Sequence, residues 1–186
     1  MELYGSYTSP FVRHCRVALE QSGEQFQFIE TDYTQSAAGS PAKRVPFLKI
    51  GELQLNDSSS ILKYVREHSG GEFLTDLVDF DRYCLINTAM DACINVFLLE
   101  RDGFTAAQVP YLQRQQSRIE AILRELDAMD WGTPPRWNDV TIRLACFLDW
   151  ALFRERLDLS GYAQLLALLD FANTQPVFTD TAPPKV

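Results

Sequence analysis

The sequence predicts an α/β domain of βαβ-then-ββα order, residues 1–75, followed by an all-helical domain, residues 76–186. Two observations predict it. Up to about residue 75 the apolar residues switch between the alternation of strands and the 3.6-residue period of helices, whereas from Asp76 onward only the helical period is present. The acidic excess is also larger in the second region than in the first, which suggests a boundary near residue 75.

The elements follow in order. Residues 2–6 read as a short strand. Residues 10–21 read as a helix with Val12, Cys15 and Leu19 on one face, opened by Pro10 and ended by Ser22-Gly23. Residues 25–30 alternate with Phe26 and Phe28 inward, which completes a βαβ unit. The polar stretch 31–43 has room for a short helix only. Two apolar runs, 47–50 and 53–55, meet at Gly51-Glu52 and read as a hairpin. A third helix over 58–67 turns Ile61, Leu62 and Val65 inward. In the second region, 76–100 forms a long helix with Leu77, Phe80, Cys84, Ala89, Cys93 and Phe97 on its apolar face. Residues 106–129 form another through Val109, Leu112, Ile119, Ile122 and Leu126. The most apolar segment, 137–153, is the expected central buried helix, capped by Asn138 or Thr133, with Asp139 structural. A last helix over 162–173 precedes a loose tail at 181–184.

Composition narrows the function classes. A net charge of −8 with few basic clusters argues against nucleic acid or an anionic membrane as partner. The N-terminus lacks a basic start followed by an apolar run, and no stretch approaches the ~18 apolar residues of a membrane span, so the cytoplasm is the expected compartment. Cys15, Cys84, Cys93 and Cys146 show no metal-ligand spacing and read as buried free thiols. His14 and His68 read as surface residues. No metal centre is expected.

The most informative local feature is Ser9-Pro10-Phe11. It sets a hydroxyl where a strand ends and a helix begins, with proline at the first helical position, so backbone N–H groups and the positive end of the helix dipole converge on one spot. Such a spot favours an anion, and a plain N-cap worth about 1 kcal/mol is the competing reading. Two further motifs follow at suitable separations: Arg44-Val45-Pro46-Phe47-Leu48 and Leu55-Asn56-Asp57-Ser58-Ser59-Ser60-Ile61.

The βαββα order is that of a thioredoxin-like domain. The three motifs in sequence, with the helical second half, resemble the cytosolic glutathione S-transferases, and the resemblance is closest to small bacterial members of serine type. It implies that glutathione is the co-substrate, that Val45 ahead of a cis-Pro46 offers its backbone to the tripeptide, and that Asp57 and Ser58 hold the γ-glutamyl end. Lys43 or Arg44 would hold the glycine carboxylate. Ser9 would stabilise the thiolate, with Tyr7 as runner-up. The tyrosine that other classes place at the end of the first strand falls on Gly5 here. Because position 9 is serine rather than cysteine, a mixed disulfide with the enzyme is disfavoured.

The resemblance further implies a homodimer and a small hydrophobic electrophile. Phe11, Leu99, Phe104 and Tyr111 are candidates for an apolar wall around that electrophile. Glu100 and Asp102 are candidates to reach a neighbouring subunit's glutathione. Two alternatives share the scaffold: a glutathione-dependent disulfide reductase or peroxidase, and a non-enzymatic binding module that has lost the ligand.

Overall fold

The computed structural model describes residues 1–184 and divides into two compact units. One comprises Met1–Thr75 with the C-terminal stretch from Asn173, the other Asp76–Ala172.

The first unit is a four-stranded mixed sheet with helices, built from β1 (Glu2–Gly5), α1 (Pro10–Ser22), β2 (Gln27–Glu30), α2 (Tyr33–Gly39), β3 (Phe47–Ile50), β4 (Leu53–Leu55) and α3 (Ser58–His68). The strand order is β2-β1-β3-β4, with β1 and β2 parallel and the other two pairings antiparallel. The thioredoxin-like prediction therefore holds. Leu3 pairs with Leu48 and Tyr4 with Phe47, so these neighbours point to opposite faces of the sheet. Leu3 and Leu48 are fully buried. On the other face Tyr4 stacks on Phe47 at 4.4 Å between ring centroids. Gly39 of α2 lies against the Phe47 ring, where an added Cβ would come within 2.8 Å.

Packing around α1 departs from the sequence reading. The expected surface residue His14 is fully buried and Arg13 is 3% exposed. The cause is a helix packed on two sides, by α3 and by a short C-terminal helix, α8 (Pro176–Asp180). Of the loose tail expected at 181–184, Thr181 departs from the reading, being buried and hydrogen-bonded, whereas 182–184 form no helix or strand. The last residues of the expected domain 76–186 thus group with the first unit. His68 is half exposed and stacks on Tyr64.

The second unit contains α4 (Leu77–Arg101), α5 (Pro110–Asp127), α6 (Asp139–Phe153) and α7 (Ala163–Asn173), the last ending at the unit boundary. Pro110 fixes the start of α5 four residues later than the apolar pattern suggested, because proline is suited to the first helical position. α6 is the buried core helix, as expected, with Asp139 only 7% exposed. Helix α4 packs on α5 and α6 through Tyr83, Ile86, Met90 and Cys93. Three residues of its first two turns expected on the inner face point outward: Leu77 is 77% and Phe80 45% exposed, and Cys84, expected buried, is exposed as well. The true inner face is offset from the one read off the sequence because α4 is apolar nearly all round. By length and composition alone α4 would also reach across a membrane, a test that a packed core helix passes as well, and Asp79, Asp81, Arg82 and Asp91 interrupt its apolar residues.

Candidate functional site

Ser9 sits in extended backbone as the N-cap of α1, and its Oγ accepts one long hydrogen bond, 3.4 Å, from the Val12 N–H. Pro10 occupies the first helical position, and no acidic side chain lies in the first turn. The helix end therefore presents a hydroxyl and the positive end of the dipole without a carboxylate to oppose them. Phe11, in the same turn, is half-buried.

Gly5, at the end of β1, is held close to α1. A Cβ there would meet Val12 at 2.5 Å, so this backbone admits no side chain at position 5. The two nearby tyrosines are engaged elsewhere. The Tyr4 hydroxyl donates to Glu2 at 2.9 Å, and this bond raises the phenol above its ordinary pKa. The Tyr7 ring packs on Phe28 at 4.6 Å, with the Arg16 guanidinium 4.9 Å from its centroid.

The Val45–Pro46 peptide is cis, as expected from the sequence; so is Thr133–Pro134, which was not anticipated. Pro46 is buried and Val45 half-buried. Lys43 and Arg44, just ahead of them, are exposed, Lys43 in left-handed backbone.

Asp57 is the N-cap of α3, accepting from the Ser59 N–H at 2.8 Å. Its other oxygen forms an ion pair with Arg44 at 3.0 Å, both side chains being more than half exposed. Two residues expected at opposite ends of one ligand are thus joined to each other. Ser58 is only 4% exposed, which leaves Asp57 as the accessible member of the pair.

Sequence reasoning missed a polar cluster that braces these loops. Asn56 Oδ1 accepts from Ser40 Oγ at 2.9 Å and from Gln54 Nε2 at 2.7 Å, and Gln54 also donates to the Gly39 carbonyl at 2.9 Å. The cluster ties the end of α2 to β4 and to the start of α3. Asn56 was legible only as one of four consecutive cap-forming residues.

In the second unit, Phe104 and Tyr111 are exposed, at 49% and 42%, and Leu99 is half-buried. Glu100 pairs with Arg156 of its own chain at 2.8 Å. Asn138, not Thr133, caps α6. Among the described residues no group of three or more His, Cys, Asp or Glu side chains is placed to hold a metal.

The first unit thus combines a thioredoxin-like sheet with a capped α1, a cis-proline turn and an acidic cap on α3, and a helical unit follows it in the chain. Residues 3–73 match the family model described as glutathione S-transferase, N-terminal domain. A curated relative, the probable glutathione S-transferase GSTF2 of Oryza sativa subsp. japonica, is 34% identical over 142 residues, which is 73% of this chain and 58% of the relative. The matched segment spans little more than half the length of the curated relatives. Two bacterial crystal structures share the fold along nearly the whole chain. A glutathione transferase family member from Pseudomonas fluorescens Pf-5, with bound glutathione, superposes with a TM-score of 0.88 at 21% identity, covering 99% of each chain. A glutathione S-transferase from Methylobacillus flagellatus KT, with glutathione bound, gives 0.85 at 21% identity, covering 98% of this chain and 99% of that one.

Proposed function

We propose that this protein is a serine-type glutathione transferase that binds glutathione, keeps its sulfur as thiolate at Ser9 and directs it at a small hydrophobic electrophile. The observation that carries the reading is the state of the α1 N-terminus, a loosely bonded hydroxyl on a helix end free of acidic side chains in its first turn. An unperturbed thiol titrates near ~8.5, so only a few per cent is nucleophilic at neutral pH. A hydroxyl donor acting with the helix dipole lowers that value by about two units, or ~2.7 kcal/mol. Ser9 donates its O–H to the sulfur and is not itself the nucleophile. The sulfur lone pair forms the bond to carbon, the leaving group departs with its electron pair, and the thiol proton goes to solvent.

Around that sulfur, Val45 offers its backbone to the extended tripeptide. Asp57 meets the γ-glutamyl ammonium, and the α3 N-terminus with Ser58 meets the neighbouring carboxylate. Lys43 or Arg44 meets the glycine carboxylate. The exposed Arg44–Asp57 pair is worth only about 0–1 kcal/mol, so charges on the ligand can replace it. Exposed Leu77, Val78 and Phe80 on the first turns of α4 support a homodimer as the working form.

Ultraviolet thiolate absorbance of bound glutathione, followed from pH 5 to 9, tests the reading. The parent is expected to show an apparent pKa about two units below that of free glutathione, and Ser9→Ala to raise it by about one unit. An unchanged value in Ser9→Ala removes Ser9 from the role and leaves Tyr7 or backbone N–H groups. Two of the protein's own thiols stay protonated across the neutral range. Burial pushes Cys93 up to about 12, and burial with the nearby Asp81 carboxylate raises Cys84. Turnover of aryl halides rather than of disulfides or hydroperoxides separates conjugation from reductase or peroxidase chemistry.

A further inference from the structure

The C-terminal stretch from Asn173 rejoins the first unit, and it does so against the helix that begins at Ser9. Two arginines make the joint. Arg13 lies one turn after Ser9, and its backbone N–H donates to the Ser9 carbonyl at 2.9 Å. Its guanidinium donates to the Phe178 carbonyl at 2.8 Å and lies 3.7 Å from the centroid of the Phe178 ring, itself fully buried. Arg16 follows on the same side. It donates to the Thr181 carbonyl at 3.0 Å, and the same guanidinium lies over the rings of Tyr7 and Phe28, at 4.9 and 5.3 Å.

The second arginine closes a circuit. Tyr7 belongs to the loop between β1 and α1, two residues before Ser9, and that loop is short and internally bonded. Ser9 N–H donates to the Ser6 carbonyl at 3.1 Å, and the Ser6 and Thr8 hydroxyls are 3.1 Å apart. The tail is itself ordered against this joint, because the Thr181 hydroxyl donates back to Val177 and Phe178 carbonyls at 2.9 and 3.1 Å. The chain terminus therefore grips the Ser9 loop from both sides, through Arg13 along the helix and through Arg16 and Tyr7 along the loop.

We propose that Arg13 and Arg16 are positioning residues that strap the C-terminal segment to the loop bearing Ser9 and thereby set the direction of the Ser9 hydroxyl. The need for such a device follows from the weakness of the cap itself. One hydrogen bond of 3.4 Å leaves the hydroxyl free to rotate, and a donor misplaced by an ångström loses much of its effect on a developing charge. A buried guanidinium held by a carbonyl and an aromatic face is also costly to displace, which makes the joint rigid.

The inference rests on glutathione binding at Ser9, and the experiment separates the two. Full-length Arg16→Gln and Arg13→Met are compared with the parent in three measurements: thermal stability, affinity for S-methylglutathione, which carries no ionisable thiol, and the apparent pKa of bound glutathione. Arg16 is the half-buried member and serves as the decisive variant should Arg13→Met fail to fold. The strap predicts that S-methylglutathione affinity stays within about twofold while the bound thiol pKa rises by roughly half a unit, with kcat/KM at pH 6.5 falling about threefold. Restoring the cation as Arg16→Lys should recover part of the shift. If Arg16→Gln folds and binds with an unshifted thiol pKa, the strap has no bearing on Ser9 and the proposal is wrong. If the parent itself leaves the glutathione thiol near its free value, it is the thiolate reading that fails.

Discussion

The N-termini of α1 and α6 are made of similar parts and stand in opposite states. Each begins with a small polar cap in extended backbone. At α6 the cap is saturated: Asn138 Oδ1 accepts from both Val140 and Thr141 N–H groups at 3.1 Å, and Thr141 Oγ1 accepts in return from the Asn138 N–H at 3.1 Å. Asp139 adds a carboxylate to the first turn, where it complements the dipole. At α1 the cap makes one bond of 3.4 Å and the first turn carries no acid. A saturated N-terminus has nothing left to offer a ligand and serves folding. An under-used one keeps a donor and an uncompensated dipole for an anion.

The comparison gives a crossed pair of predictions. Ser9→Ala should change stability by only a few tenths of a kcal/mol, because the bond it removes is long, yet lower kcat/KM by about tenfold, or ~1.4 kcal/mol. Asn138→Ala should do the reverse. It removes two accepted bonds and breaks the reciprocal box, costing about 1–2 kcal/mol of stability while leaving kcat/KM of the folded protein unchanged. Chemical denaturation and steady-state kinetics on the same two variants check both. Should Ser9→Ala unfold as readily as Asn138→Ala with its kinetics intact, α1 carries an ordinary cap and the contrast collapses.

The third N-terminus, α3, lies between these states and sharpens the rule. One Asp57 oxygen caps the helix through Ser59 and the other holds Arg44. Asparagine caps about as well as aspartate, so Asp57→Asn separates the two functions. Stability should stay within about 0.5 kcal/mol, while the glutathione Kd measured by calorimetry rises about five- to tenfold through loss of the charge facing the ammonium. An unchanged Kd would place the ammonium elsewhere.

How much of this was legible in the sequence depended on whether the signal was local. The strands 47–50 and 53–55 match β3 and β4 residue for residue, because a glycine turn between two apolar runs is self-contained. Ser9 and Asp57 were legible as caps for the same reason. The burial of Arg13 and His14 was not, since it arises from α3 and from α8, the latter some 165 residues later in the chain, packing on faces that α1 alone marks as polar. The outward turn of Leu77 and Phe80 was hidden by a helix whose apolar residues run nearly all round it. The Arg44–Asp57 pair joins residues whose separation follows no helical or strand period, so only the folded hairpin brings them together.

That pair supplies the smallest expected effect and the finest test of how far α3 is committed. Under the proposed binding mode, removing Arg44 has two opposed consequences: it deletes a cation offered to the glycine carboxylate, and it frees Asp57 for the ammonium. An exposed pair contributes about 0–1 kcal/mol, so the second consequence is small, whereas a charge-assisted contact with a ligand carboxylate is somewhat stronger. Arg44→Ala should therefore weaken glutathione binding by only about two- to threefold, with Lys43 retaining part of the attraction. The difference should shrink as salt is raised, because both groups are solvent-exposed and screened. Tighter binding in Arg44→Ala would show the opposite balance, with Arg44 competing against the ligand for Asp57 and α3 closed by its own ion pair until glutathione displaces it.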